Sequence, residues 1–155
     1  MKRARLAIAA LGLSAATMVG IATQEGFRAV AYRPVPGDVP TIGFGTTEGV
    51  KMGDRIEPVQ ALVRKLADVQ KFEGALRRCL KVPLHQHEYD AFLSLAYNIG
   101  AGAFCGSTLV RKLNTGNYAG ACAEILRWDK FQGQPLRGLT LRRQNEHRQC
   151  LGDEP

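Results

Sequence analysis

The chain has 155 residues, enough for one domain or for two small lobes that share a core. It is 45% hydrophobic and 23% charged, which is typical of a globular protein and excludes a disordered, collagen-like or coiled-coil chain. Its 21 Lys+Arg against 14 Asp+Glu leave a net charge of +7, which favours polyanionic surroundings such as cell wall, acidic lipid or nucleic acid.

The first 24 residues have the pattern of a targeting segment. Basic residues at positions 2, 3 and 5 precede an uncharged run over residues 6–23. As a helix this run would be about 27 Å long, just enough to cross a bilayer, and the rest of the chain would be exported. Eleven of its eighteen residues are Ala, Gly, Ser or Thr, so we expect an uncleaved, weak anchor that can later leave the membrane. A cleaved signal peptide, with small-residue sites at 14–16 or 20–22, is the alternative.

The following chain changes from β-type to helical patterning at Pro58. Residues 39–45 predict a strand that leaves a turn at 36–37, and Gly43 and Gly45 indicate a close approach of the backbone to another group. Helices are predicted over 58–79, 90–99, 107–113, 118–128 and 139–151, with a loop over 133–138. In the first of these helices the expected apolar face consists of Ala61, Leu62, Leu66, Val69, Phe72 and Leu76. The sequence therefore predicts an α+β fold, with a small β lobe over about 25–57 and an all-helical lobe over about 58–155.

The chain has four cysteines, Cys79, Cys105, Cys122 and Cys150, which can form two disulfides in an oxidising periplasm. Of the three possible pairings we predict Cys79–Cys150, because each residue ends a long helix. We also predict Cys105–Cys122, because these two flank a short helical excursion. Their spacing does not fit a metal site, and no metal or other cofactor is expected.

Two carboxyl groups stand out in the N-terminal third, because Glu25 and Asp38 are the only acidic residues before position 45. Glu25 lies where the apolar segment meets the β lobe, and partial burial there would favour the neutral form that a general acid needs. Asp38 lies at a glycine-rich turn, where it would remain ionised. Such a pair is used in glycoside hydrolysis, although a surface charge and an ordinary turn residue would fit the same spacing.

Several motifs, taken in order along the chain, resemble one family. They are Glu25-Gly26-Phe27-Arg28, Ala31-Tyr32-Arg33, Pro40-Thr41-Ile42-Gly43-Phe44-Gly45, Tyr89-Asp90-Ala91-Phe92, Ala96-Tyr97-Asn98-Ile99-Gly100, Arg127-Trp128 and Arg142-Arg143. This series, over about residues 25–151, resembles phage lysozymes of glycoside hydrolase family 24. The resemblance implies a lysozyme-like fold with its active-site cleft between the two lobes. It also implies hydrolysis of the β-1,4 bond between N-acetylmuramic acid and N-acetylglucosamine, and it likens residues 6–23 to a signal-anchor-release segment.

The resemblance also assigns catalytic roles. The family pattern is a Glu, eight residues, an Asp or Cys, five residues and a Thr, and Glu25 matches the general acid. Pro34 stands at the position of the Asp, and the threonine comes one residue late, at Thr41. Asp38 is the only carboxylate between Glu25 and Thr41, so it is expected to act as base or electrostatic stabiliser. Thr41 would orient the attacking water.

Four further residues, Tyr32, Phe44, Asn98 and Trp128, are candidates for substrate binding. Three of them have structural alternatives: Tyr32 could pack the hairpin, Asn98 could tie the two lobes together, and Trp128 could anchor the core. Four C-terminal arginines are expected on a solvated face that could also attract anionic wall polymer or outer-membrane lipid. They are Arg137, Arg142, Arg143 and Arg148.

The expected partners are peptidoglycan glycan strands, the host inner membrane through residues 6–23, and anionic outer-membrane lipid. Nucleic acid is not expected, because the basic residues lack interleaved aromatics and the chain is exported. We expect a monomer in the host periplasm, initially tethered in the inner membrane. Two other functions fit the sequence: a lytic transglycosylase, which needs one carboxyl group, and a membrane-tethered wall-binding module without activity.

Overall fold

The computed structural model describes residues 3–153. They form two compact units, one made of residues 15–71 and the other of residues 3–14 together with 72–153. These units do not coincide with the predicted segments 1–24, 25–57 and 58–155. The difference arises because residues 3–14 hydrogen-bond to the chain beyond residue 72 and because one long helix supplies residues to both units.

Seven α-helices and two short antiparallel hairpins make up most of the regular structure in the described residues. The helices are α1 (Ala15–Glu25), α2 (Pro58–Cys79), α3 (Gln86–Ile99), α4 (Ala101–Cys105), α5 (Thr108–Asn114), α6 (Tyr118–Glu124) and α7 (Arg137–Leu151). The strands are β1 (Arg28–Tyr32), β2 (Thr41–Gly43), β3 (Lys130–Phe131) and β4 (Gln134–Pro135), and two 3-10 turns lie at Ile8–Ala10 and Ile125–Arg127. The predicted α+β class is confirmed, although the predicted loop over 133–138 contains β4.

The first hairpin forms the core of the unit 15–71. Strands β1 and β2 are antiparallel, with Arg28 opposite Gly43 and Tyr32 opposite Thr41. A buried cluster lies around them, made of Ala31, Ile42, Val50, Ile56 and Ala61, with Phe44 packed against it. The predicted strand 39–45 is shorter than expected, because the chain turns back after Gly43 and Ile42 exchanges two backbone hydrogen bonds with Thr46.

The inward face of α2 differs from the predicted apolar face. Ala61 and Val69 are buried as expected, but Leu62 and Leu66 are each 39% exposed. The buried residue between Ala61 and Val69 is Lys65, whose relative exposure is 0%. Residues four apart lie on one face of a helix, so the inward stripe runs through 61, 65 and 69 and includes a charged side chain.

Helix α3 is buried over most of its length. All nine residues from position 88 to 96 are buried, which agrees with the predicted buried helix over 90–99. The helix begins four residues earlier than predicted, because a Glu88 carboxylate oxygen accepts the His85 backbone N–H at 2.8 Å and so satisfies a donor at the helix start. Its buried Tyr89 hydroxyl donates to Glu73 at 2.9 Å, and burial together with this carboxylate raises the pKa of Tyr89 above its ordinary value.

The predicted disulfide pairing is wrong. The four cysteines pair as Cys79–Cys105, with Cα atoms 5.6 Å apart, and as Cys122–Cys150, with Cα atoms 5.7 Å apart. The physical reason is the packing of the helix ends. The last residue of α2 lies beside the last residue of α4, and α6 packs against α7 close to its C-terminus.

This pairing predicts a specific stability loss. The two bonds join residues 26 and 28 positions apart, so removing either should lower the free energy of unfolding by about 3.5 kcal/mol in the chain-entropy model. Replacing Cys79 and Cys105 together with Ser should therefore leave the Cys122–Cys150 bond intact and lower the melting temperature. Non-reducing peptide mapping combined with thermal denaturation measures both, and a peptide linking Cys79 to Cys150 would contradict the structure.

Residues 3–14 are hydrogen-bonded to the rest of their unit, residues 72–153. Leu6 and Leu84 form an antiparallel bridge with two backbone bonds of 2.8 Å. The Arg5 guanidinium donates to both oxygens of the buried Glu88 at 2.7–3.2 Å and lies 3.5 Å from the centre of the Tyr118 ring. The Glu88 bond raises the pKa of Arg5 above its ordinary value. Three more bonds join the Leu13 N–H to Glu73, the Ser14 N–H to Asp90 and the Gln86 side chain to the Gly12 carbonyl.

Within residues 3–153, no helix combines the length and the apolar character that a bilayer span requires.

Candidate active site

The Glu25 carboxyl group lies against the turn that follows β2. Glu25 is the last residue of α1, and Gly45 has a positive φ of 87°. A Cβ atom on Gly45 would lie 3.1 Å from Glu25 Oε2, so a larger residue would press on the carboxyl group as well as strain the backbone. The predicted close approach at Gly45 is confirmed. The expected burial of Glu25 is wrong, because the residue is exposed at the end of its helix.

The same turn is held against α2 at two further points. A Cβ atom on Gly43 would lie 2.8 Å from the Cβ of Ala61, so only glycine allows this close packing. The Thr46 hydroxyl donates to Asp68 at 2.6 Å. The turn therefore lies along α2 from Ala61 to Asp68, two turns of the helix, and its position relative to α2 is fixed at both ends.

Lys65 occupies the middle of this contact. Its Nζ lies 3.7 Å from the Cβ position on Gly45, the same point that is 3.1 Å from Glu25 Oε2. A buried ammonium group and the candidate acid thus flank one glycine. Lys65 was not predicted as a site residue, although its spacing of four residues from both Ala61 and Val69 is a usable signal.

Asp38 lies in the chain between β1 and β2. The residue is exposed, as expected for a turn carboxylate. Its backbone N–H donates to the Val35 carbonyl at 3.1 Å, and its Oδ1 accepts the Val39 N–H at 2.9 Å. The local hydrogen bond orients the carboxylate, and the residue stays open to solvent.

Thr41 begins β2 and is buried. Its hydroxyl donates to the Val39 carbonyl at 3.2 Å, and the hydroxyl oxygen can still accept a hydrogen bond from water. Tyr32, which is opposite Thr41 in the hairpin, is half-buried, with the Arg28 guanidinium 5.4 Å from its ring centre.

Phe44 is half-buried as well. Its ring centre is 5.3 Å from that of Phe27, and it packs on the hairpin core. These contacts give the ring a structural role, and its exposed part leaves room for the predicted substrate contact.

Asn98 and Trp128 meet at one buried arginine of α7. The Arg143 guanidinium donates to the Asn98 side-chain oxygen at 2.9 Å and to the Trp128 carbonyl at 3.5 Å. Asn98 is exposed and Trp128 is half-buried. Both residues therefore help to hold Arg143, and their contact with substrate remains a prediction.

The predicted solvated face of arginines is wrong for two of its four members. Arg137 and Arg148 are exposed, but Arg143 is fully buried and the Arg142 side chain is 10% exposed. Both buried guanidinium groups pair with Glu146, at 2.7 and 3.2 Å, because the polar side of α7 faces α3 at this point. Burial lowers the pKa of Arg143 and raises that of Glu146, and the ion pair opposes both shifts.

Comparison with known proteins identifies the family. The model of the phage lysozyme family matches residues 22–146. The chain belongs to the phage lysozyme family. It is 42% identical over 133 residues to an endolysin of Acyrthosiphon pisum secondary endosymbiont phage 1, covering 83% of this chain and 90% of that one. It is also 38% identical over 141 residues to a SAR-endolysin of Pseudomonas phage phiKMV, covering 88% and 87%.

The structural comparison gives the same result. An endolysin of Escherichia coli O157:H7 phage FAHEc1 superimposes with a TM-score of 0.82 at 35% identity, covering 94% of this chain and 96% of that one. The predicted lysozyme-like fold is therefore confirmed, and so is the predicted relationship to phage lysozymes. The roles of individual site residues remain predictions.

The role of Asp38 can be tested separately from its folding contribution. Asp38→Asn should lower lytic activity about 10²-fold, because the amide cannot accept a proton or offset positive charge. Its melting temperature should not change, since the side chain is exposed and an Asn oxygen can also accept the Val39 N–H. Turbidity loss of purified sacculi measures the activity. If Asp38→Asn is fully active while Thr41→Val is not, the second-carboxylate role is wrong.

Proposed function

We propose that this phage endolysin hydrolyses the β-1,4 bond between N-acetylmuramic acid and N-acetylglucosamine in the host cell wall. The observation that carries the proposal is Glu25, an exposed residue within the range that matches the family, whose carboxyl group lies at Gly45. Endolysin relatives that match most of the chain support the lysis of the host wall as its purpose. Peptidoglycan glycan strands are then the substrate.

Glu25 acts as the general acid. In its neutral form it gives its proton to the glycosidic oxygen, and the electron pair of the breaking C–O bond stays on that oxygen. Glu25 is left as a carboxylate. Exposure at the end of α1 lets the carboxyl group reach a polymeric substrate, and Gly45 limits the directions in which it can point.

Asp38 and Thr41 serve the attacking water. The Asp38 carboxylate stabilises positive charge on the sugar or takes a proton from water as the new C–O bond forms. The Thr41 hydroxyl donates to Val39, so its oxygen is available to accept a hydrogen bond from that water. Tyr32, Phe44, Asn98 and Trp128 are the proposed contacts for the flanking sugars.

Residues 6–23 form a releasable membrane anchor, which keeps the new enzyme at the periplasmic face of the inner membrane. The same residues take part in the folded protein, where Leu6 pairs with Leu84 and where Leu11 and Ile21 are buried. A segment cannot lie in the bilayer and make these contacts at once. Release, triggered by loss of the membrane potential, therefore allows residues 3–14 to dock on residues 72–153. It also allows α1 to form and to hold the Glu25 carboxyl group at Gly45.

The exposed arginines 137 and 148 are the part of the C-terminal basic stretch that remains available to anionic wall polymer or outer-membrane lipid. Attraction of this kind is screened by salt. It would raise the local concentration of the enzyme at the wall without taking part in bond cleavage.

Digestion of dye-labelled sacculi tests the proposed activity. The full chain, freed from the membrane with detergent, should release soluble dye, and sacculi should lose turbidity. A wall-binding module would instead sediment with the sacculi and release no dye. That outcome would contradict the proposal.

A further inference from the structure

Lys65 is a charged residue to which the proposed bond cleavage assigns no role. Its side chain is fully buried, on the inward stripe of α2 between Ala61 and Val69. Lysine is almost never fully buried without a compensating interaction, because removing an ammonium group from water costs free energy. An apolar residue at this position would continue the stripe at no such cost. The presence of a charged side chain at this buried position therefore requires a physical explanation.

The position of the ammonium group explains why the buried residue is charged. Nζ lies 3.7 Å and Glu25 Oε2 lies 3.1 Å from the same point above Gly45. The Thr46–Asp68 hydrogen bond and the tight packing of Gly43 on Ala61 hold the turn on both sides of Gly45. The geometry around the candidate acid is thus fixed by α2, and the closest part of α2 to Gly45 is the charged end of Lys65.

We propose that Lys65 is a positioning residue for Glu25, an inference that rests on the proposed function. When Glu25 gives its proton to the glycosidic oxygen it becomes a carboxylate, and a nearby ammonium group stabilises that charge as it forms. Lys65 keeps its own proton throughout. Because Lys65 is buried, it acts through Glu25 and does not contact the glycan strand.

Lys65→Met tests this role, because methionine is of similar length and lacks the charge. We expect kcat to fall at least tenfold while KM, measured on soluble peptidoglycan fragments, stays within about twofold. Replacing a buried charge with an apolar side chain is often neutral or stabilising, so circular dichroism and the melting temperature should show an intact fold. Lys65→Arg keeps the charge and should retain more of kcat than Lys65→Met.

Lys71→Met is the matched control. Lys71 lies on the same helix, six residues further on, but it is exposed and pairs with Glu48. The same chemical change there should leave kcat and KM within about twofold of the wild type. The comparison separates the loss of a particular charge from the loss of any lysine on α2.

A double variant distinguishes positioning from a structural role. In the presence of Glu25→Gln, Lys65→Met should lower the residual kcat no further, because Lys65 acts through the missing carboxyl group. An unchanged kcat in Lys65→Met, an additional loss in the double variant, or an unfolded Lys65→Met would each overturn the inference. If the wild type does not cleave the fragments at all, the proposed function fails instead.

Discussion

Glu25→Gln should lower lytic activity by about 10²–10⁴-fold and leave the fold unchanged. General acid catalysis typically contributes a rate factor of this size, and the amide keeps the shape of the side chain without an acidic proton. Glu25 is exposed at the end of α1, so little packing energy depends on it, and the loss of its charge beside the buried Lys65 should lower the melting temperature without unfolding the protein. Turbidity loss of purified sacculi and thermal denaturation, carried out on the same preparation, measure the two effects.

Glu48→Gln is the control for this experiment. Glu48 is also exposed and lies in the same unit, where its ion pair with Lys71 holds its pKa below the ordinary value. An exposed ion pair contributes little to stability, so this variant should lyse sacculi at the wild-type rate. Glu25→Gln activity within about tenfold of the wild type would show that Glu25 is not the general acid.

Ala16→Leu combined with Gly20→Leu should trap the enzyme in the membrane and prevent lysis. Both residues are exposed on α1, and a Cβ atom on Gly20 meets no atom within 4 Å, so the folded enzyme accommodates both leucines. In the bilayer each added side chain is buried, which strengthens the anchor by roughly 1.5–3 kcal/mol per leucine. The variant should stay in the membrane fraction and fail to lyse cells after a depolarising agent.

Ala16→Ser with Gly20→Ser is the matched polar control. It changes the same two exposed positions but adds a hydroxyl group at each instead of a large apolar side chain, so release and lysis should occur at least as early as in the wild type. Purified leucine variant, freed from the membrane with detergent, should digest sacculi normally, which separates retention from damage to the active site. Normal lysis by the leucine variant in cells, or a mature N-terminus after residue 16 or 22, would show that the segment is not a releasable anchor.

The features that could be predicted from the sequence depend on local patterns. Gly43 and Gly45 imply a close backbone approach whatever the rest of the chain does, and the structure places Ala61 and Glu25 at these two glycines. The longer helices were predictable because their patterns span many residues, and α3 begins earlier than predicted because of the Glu88 hydrogen bond. Helix α4 was not predicted, and α6 ends at Glu124 instead of continuing to residue 128.

The features that could not be predicted depend on distant partners. The disulfide pairing follows from the meeting of the C-terminal ends of α2 and α4 and from the packing of α6 on α7, and helix positions alone leave all three pairings open. The basic stretch around Arg143 predicts a solvated side chain, but Arg143 is buried and hydrogen-bonds to Asn98, which is 45 residues away in the sequence. Lys65 interrupts an apolar stripe, and the residue that explains its charge, Glu25, belongs to another helix.

Mass analysis of the new chain ends tests the central claim most directly. Sacculi digested by the full chain in ¹⁸O-water should yield fragments that end in a reducing muramic acid residue carrying one ¹⁸O atom, because water attacks the sugar as the glycosidic bond breaks. Borohydride reduction should then convert every new end. Fragments that end in anhydromuramic acid, without ¹⁸O, would show a lytic transglycosylase and contradict the hydrolytic roles of Asp38 and Thr41.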